Sequence, residues 1–195
     1  MILNQHKLEQ GLPTQELIDS IQKIEFDEAF IYTPFHVQAA TRRIPIRSPE
    51  HTPLTAEDDF IHMQYPGSCY MEVYNDRLYN ESQPIRGFLK WFHEMYGGQH
   101  YRASVAVLPP GESVQPHIDG GPYYIGKDRF HLVLQGDYEY TVNGESRRYK
   151  QGDLFWFNNQ EIHSSTNIGG DDRLAIVFDV AESDWRNVCG ITGAR

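Results

Sequence analysis

Hydrophobic positions recur at helical spacing twice in the first hundred residues. Leu17, Ile18, Ile21 and Ile24 share one face of a stretch from Thr14 to Ile24, with Pro13 before it and Thr14 placed to cap it. Between Pro84 and Tyr96, the residues Ile85, Phe88, Leu89, Phe92, Met95 and Tyr96 form a broader stripe, and Gly97-Gly98 stops it. Between the two, Pro34, Pro45, Pro49 and Pro53 interrupt residues 33–53 and no clean period follows, which predicts long irregular connections of the kind that wall a pocket. From about Tyr101 the pattern changes to short β-like runs: Ser104 to Leu108, Arg129 to Gln135, Tyr138 to Val142, Leu154 to Phe157 and Leu174 to Val180. Asn143-Gly144 marks a two-residue hairpin, and Pro109-Pro110-Gly111 and Gln151-Gly152-Asp153 mark further turns. Many short strands with frequent turns predict a mainly β fold with flanking helices, a sandwich or barrel of jelly-roll type.

The 195 residues suit one domain, with 1–100 as a helical and irregular flank and 101–185 as the jelly-roll core. Cys69 and Cys189 are too few and too far apart for a disulfide framework or a zinc ribbon. The N-terminus has no basic region followed by an apolar run, and no stretch approaches the ~18 apolar residues of a membrane span. A soluble, cytoplasmic protein is expected, with no membrane partner. A formal net charge of −10 argues against a nucleic-acid partner bound through its phosphates. Arg42, Arg43 and Arg47 form the notable basic cluster, read either as a solvated loop or as a site for an anionic substrate group. The tail from Gly190 to Arg195 is expected to fray.

His117-Ile118-Asp119 combined with His163 gives two imidazoles and a carboxylate, the minimum set that holds a non-haem Fe(II) by one face and leaves the other open. In an extended segment, residues 117 and 119 project to one side; His163 must arrive from a distant strand. His6, His36, His51, His62, His93 and His100 are read as ordinary core or surface histidines. Arg129 and His131 alternate with Phe130, Leu132 and Leu134, and Arg173 alternates with Leu174, Ile176 and Phe178. Arginines pointing into a barrel need a carboxylate. That partner is either a protein Asp or Glu or the distal carboxylate of 2-oxoglutarate, which suits a planar guanidinium.

Gly111 followed by His117-x-Asp119, and Gly152 through His163-x-x-x-Asn167, resemble the two cupin motifs, with Asn158 and Gln160 where proline and glycine are usual. More specifically, Leu108-Pro109-Pro110-Gly111, Pro116-His117, Arg129-Phe130-His131-Leu132, His163 and Arg173-Leu174-x-Ile176 resemble the aspartyl/asparaginyl β-hydroxylase family of Fe(II)/2-oxoglutarate dioxygenases. The resemblance implies a double-stranded β-helix, with iron on His117 and His163 and with Arg129, His131 and Arg173 on 2-oxoglutarate. Asp119 stands where animal members carry glycine, and completes a facial triad. Ala106 replaces the serine those members use on the strand before the first histidine; Ser104, on the same face, is the candidate substitute.

Such an enzyme would use O2 to hydroxylate an unactivated C–H bond of an amino-acid side chain, free or in a peptide, releasing succinate and CO2. Tyr123, Tyr124, Trp156 and Asn158, with Arg42 for an anionic group, are the candidate substrate contacts. Two other readings stay open: a cupin-type metalloenzyme without 2-oxoglutarate, with His131 completing the ligand set, and a metal-free ligand-binding jelly roll. Substrate identity and oligomeric state are not encoded in these patterns.

Overall fold

A computed structural model describes residues 3–23, 31–32, 40–47 and 77–192. Eleven described strands, all paired antiparallel, form two sheets. In chain order they are β1 (Gln5–Glu9), β2 (Ile31–Tyr32), β3 (Arg42–Arg47), β4 (Gln99–Leu108), β5 (Ser113–His117), β6 (Lys127–Gln135), β7 (Asp137–Val142), β8 (Glu145–Lys150), β9 (Leu154–Phe157), β10 (His163–Asn167) and β11 (Arg173–Ala181). The larger sheet runs β1-β9-β6-β11-β4-β3-β2 and the smaller β5-β10-β7-β8. Helices α1 (Gln15–Gln22), α2 (Arg77–Glu81), α3 (Gln83–Tyr96) and α4 (Trp185–Val188) and a 3-10 turn (Pro122–Tyr124) complete the described elements.

The alternation of side chains across the larger sheet divides the molecule into two cores. Phe130, Leu132 and Leu134 of β6, Leu154 and Trp156 of β9, and Leu174, Ile176 and Phe178 of β11 pack with Leu17, Ile18 and Ile21 of α1 and with Ile85, Leu89 and Phe92 of α3. On the opposite face, Val133, Phe155 and Phe157 pack with Tyr138, Tyr140, Val142 and Tyr149 of the smaller sheet. Together the sheets make a double-stranded β-helix with helices on the outside of its larger sheet. β11, flanked by β4 and β6, is buried on both faces from Arg173 to Val180.

Both expected helices form. The Ser82 hydroxyl accepts from the Ile85 N–H (3.2 Å) to start α3, and Gly97 ends it at φ 64°. Thr14 sits at the N-cap of α1, but its hydroxyl accepts from Gln151 Nε2 (2.8 Å) instead of capping. Ile24 lies outside the described residues, as do Cys69, His36, His51 and His62. Where residues 33–53 were expected to be irregular, 42–47 form β3, which pairs with β4. Two strands of the first hundred residues thus extend the larger sheet on opposite sides: β3 beside β4, and β1 beside β9. In the expected frayed tail, the Ile191 N–H donates to the Arg186 carbonyl (2.7 Å), and 193–195 lie outside the described residues.

Candidate metal centre

β5 and β10 pair with His117 directly opposite His163, so antiparallel register alone brings two imidazoles together. Their ring centroids are 4.3 Å apart. Each Nδ1 lies against the carbonyl two residues before it, Gln115 O at 2.8 Å for His117 and Glu161 O at 2.9 Å for His163. A carbonyl only accepts, so both Nδ1 atoms carry a proton, which leaves Nε2 of each ring as the nitrogen that can ligate a metal. The strand ends at His117, and Asp119 is held in the following loop by its N–H donating to Asn159 O (3.1 Å). Its Oδ1 lies 3.7 Å from His117 Nε2 and its Oδ2 lies 3.9 Å from His163 Nε2. One ligand atom from each residue falls within 4.8 Å of the others. Two imidazole nitrogens and one carboxylate form the donor set that a facially bound Fe(II) uses.

The electrostatics keep these donors ready. Burial lowers the His163 pKa to about 4, which leaves its imidazole neutral. For Asp119 burial opposes ionisation, but Arg129, His163, His117 and Arg43 together outweigh it and hold its pKa below the ordinary value. Arg129 Nη1 donates to Asp119 Oδ2 at 2.7 Å. The rest of that guanidinium faces Asp179 on β11, with Nε to Oδ1 at 2.7 Å and Nη2 to Oδ2 at 2.9 Å. The Tyr123 hydroxyl donates to Asp179 Oδ2 (3.0 Å) and accepts the Arg102 N–H (3.0 Å).

Arg173 stands differently. It is 2% exposed, and among the described residues no carboxylate lies within ion-pairing distance. Its Nη1 donates to Ser165 Oγ (3.1 Å), its guanidinium carbon lies 4.5 Å from the Tyr138 ring centroid, and its buried Nε has no hydrogen-bond partner among the described residues. A buried cation without an anion is costly. Arg173 and the three candidate ligands line the same pocket, with Arg43, His131 and Ser165 among its other polar walls and Tyr140 and Phe157 among its apolar ones. Burial, followed by Arg173 and Arg129, pushes the His131 pKa well below its usual value.

Several expected contacts lie elsewhere. Trp156 is on the helix side of β9, donating Nε1–H to Asp128 Oδ1 (2.9 Å) and packed 4.8 Å from Trp185; the alternation of β9 turns Phe157 into the pocket instead. Arg42 pairs with Asp172 (3.3 Å), and its neighbours Thr41 and Arg43 are the ones that line the cavity. Ser104 is buried on β4 away from the lining, where Ala106 stands; the aliphatic hydroxyls there belong to Ser165 and Thr41. Asn158 serves a turn, its N–H on Asn4 O (2.8 Å) and its Oδ1 accepting from the Gln160 N–H (3.2 Å). Tyr123 is committed to Asp179, and the Tyr124 ring lies 4.8 Å from the Arg129 guanidinium carbon. Arg129 meets two protein carboxylates, the first of the two kinds of partner open to it. Sequence reasoning misses Ser165 and Asp179, although each continues a strand face already marked, two residues after His163 and six after Arg173.

No helix among the described residues is long and apolar enough to cross a membrane. No curated protein matches the chain. Among solved structures it is similar to the Schizosaccharomyces pombe Cnp3 cupin domain at 22% identity, over 47% of this chain and 64% of that one, with a TM-score of 0.37. It is also similar to a predicted oxalate decarboxylase from Thermotoga maritima at 24% identity, over 47% and 72%, with a TM-score of 0.36. For KdgF from Halomonas sp. the identity is 23%, over 42% and 70%, with a TM-score of 0.34. This chain therefore spans slightly less than two thirds of the Cnp3 domain. Residues 69–183, more than half of the sequence and inclusive of every candidate ligand, match the family model described as Aspartyl/Asparaginyl beta-hydroxylase, and the chain belongs to that family.

Proposed function

We propose that the protein is an Fe(II)- and 2-oxoglutarate-dependent oxygenase that hydroxylates an unactivated C–H bond of an amino-acid side chain, free or in a peptide, releasing succinate and CO2. The observation that carries this reading is Arg173, a buried guanidinium without a carboxylate partner among the described residues, in the pocket that holds the two histidine Nε2 atoms and the Asp119 carboxylate. An anionic co-substrate supplies the missing partner. His117, Asp119 and His163 would hold the iron, and Arg173 with Ser165 would hold the distal carboxylate of 2-oxoglutarate. Bound together, iron and co-substrate supply the activation of O2 that oxidises the C–H bond. The protein's own part is orientation and exclusion. His131, held neutral by burial, lines the co-substrate side without adding charge, and Tyr140 and Phe157 keep water from it.

The cupin-type alternative needs His131 as a ligand, whereas His131 Nδ1 faces the Tyr138 hydroxyl at 3.4 Å and, among the described residues, the close-set donor group comprises the other three. The test is an anaerobic absorption titration of metal-free protein with Fe(II) and then 2-oxoglutarate, in wild type and Arg173→Ala. The expected result is a saturable visible band that requires both additions and needs at least tenfold more 2-oxoglutarate in the variant. Bound iron without a band would return the reading to a cupin-type enzyme that dispenses with 2-oxoglutarate.

A further inference from the structure

The family resemblance assigns Arg129 to the co-substrate, yet three of its donor nitrogens already meet protein carboxylates. Nε and Nη2 form a two-point contact with Asp179, and Nη1 reaches Asp119 Oδ2. Two-point contacts fix a guanidinium in plane and direction. Asp179 is fixed in turn: it lies on β11 opposite Arg129 in the β6–β11 register, and it accepts the Tyr123 hydroxyl, whose oxygen is held by the Arg102 N–H. All three charged groups are at most 5% exposed.

We infer that Asp179, Arg129 and the Tyr123 hydroxyl form a positioning chain for the Asp119 carboxylate, and that Arg129 acts on the metal through Asp119 and not on the co-substrate. Arg129, on the same pocket wall, donates to Oδ2 and leaves Oδ1, 3.7 Å from His117 Nε2, as the oxygen free for metal. Asp119 needs such support because it stands in a loop beyond the end of β5, where no ladder hydrogen bond sets its side-chain direction. Partners of this kind typically change metal affinity 10- to 100-fold when removed. The inference rests on the proposed metal site and gives the two buried arginines different roles, Arg129 supporting the metal carboxylate and Arg173 holding the co-substrate.

The test uses anaerobic Co(II) titration of the metal-free full-length protein, read by visible absorption, followed by 2-oxoglutarate titration of each Co(II)-loaded protein. The proteins are wild type, Asp179→Asn, Arg129→Lys and Tyr123→Phe. We expect Asp179→Asn and Arg129→Lys to weaken Co(II) binding by about 10- to 100-fold and to alter its band, and Tyr123→Phe to weaken it by a smaller factor. Affinity for 2-oxoglutarate at saturating Co(II) should change less than threefold. Should the charge variants fail to fold, Tyr123→Phe, which deletes one oxygen and leaves every charge in place, decides alone: unchanged Co(II) affinity and band overturn the inference. Unchanged Co(II) binding with weakened 2-oxoglutarate binding in Arg129→Lys would give Arg129 to the co-substrate and overturn it as well. Failure of wild type to bind Co(II) or Fe(II) would instead remove the metal site and with it the proposed function.

Discussion

At the scale of single residues, burial and charge make His131 a sensor of the unfolded state. It lies among Tyr140, Phe155 and Phe157, and burial with Arg173 and Arg129 nearby keeps it neutral well below its ordinary pKa. The unfolded chain takes up that proton once the pH falls below about 6.5. Between there and the depressed folded value the unfolded state binds more protons, so stability falls as pH falls. His163, with a folded pKa of about 4, adds loss in the same direction. Asp119, whose folded pKa is depressed, adds its own only below the ordinary carboxylate range. Replacing His131 with phenylalanine removes one such proton from the comparison. Urea unfolding of metal-free protein at pH 7 and pH 5 should therefore show wild type losing about 2 kcal/mol more than His131→Phe over that interval, at about 1.4 kcal/mol per pH unit below 6.5. Equal losses would mean that His131 is protonated in the folded protein.

Elements carry the site into place, and two turns show how differently a glycine contributes. Asn143 and Gly144 have φ of 48° and 76° in the β7–β8 hairpin, the paired positive values of a tight turn matched to strand twist, and a Cβ on Gly144 would meet nothing within 4 Å. Gly152, at φ 84°, precedes β9; a Cβ there would stand 2.9 Å from Gly11 Cα and from the Leu12 backbone N and O, at the crossing where the Leu12 N–H donates to Gly152 O. Gly144→Ala should cost about 1–2 kcal/mol, the left-handed strain alone, whereas Gly152→Ala should cost more than about 3 kcal/mol because only backbone can give way. Thermal or chemical denaturation of the two variants decides it, and similar losses would show the crossing to be compliant. Both turns were legible in the sequence, as were five strands, because the signal was local. β1 and β3 were not: each depends on pairing with a neighbour far along the chain, β9 for one and β4 for the other. Parity was the other casualty. A reading that places a strand without fixing which alternate face looks inward selects Trp156 over Phe157 and Arg42 over Arg43, and a slip of one residue reverses every side chain.

Across the whole molecule, the candidate ligands were legible because residue type and short spacing specify them, whereas the division of labour between the arginines depends on which strands become neighbours. Only the fold sets Asp179 opposite Arg129 and, among the described residues, leaves Arg173 without an acid beside it. The resulting charge pattern has a consequence for binding. Around the candidate centre the fully buried charges among the described residues are the carboxylates of Asp119 and Asp179 and the guanidiniums of Arg129 and Arg173, which cancel; Arg43, half-buried on the same pocket wall, adds one positive charge, and burial keeps His131 and His163 neutral. A divalent metal alone adds two positive charges to that balance, and a dicarboxylate alone adds two negative ones. Bound together they restore it. Each should therefore bind more tightly in the presence of the other, by a factor typical of coupled sites, about 5- to 150-fold, and reciprocity requires the same factor in both directions. Anaerobic calorimetry with Co(II) and 2-oxoglutarate, each titrated with and without the other, measures it. Glutarate keeps both carboxylates and lacks the keto oxygen, so it separates charge from chelation. If glutarate binding is strengthened several-fold by Co(II), the charge balance built into the fold contributes directly; if only 2-oxoglutarate responds, the coupling belongs to chelation and the buried charges only tolerate it.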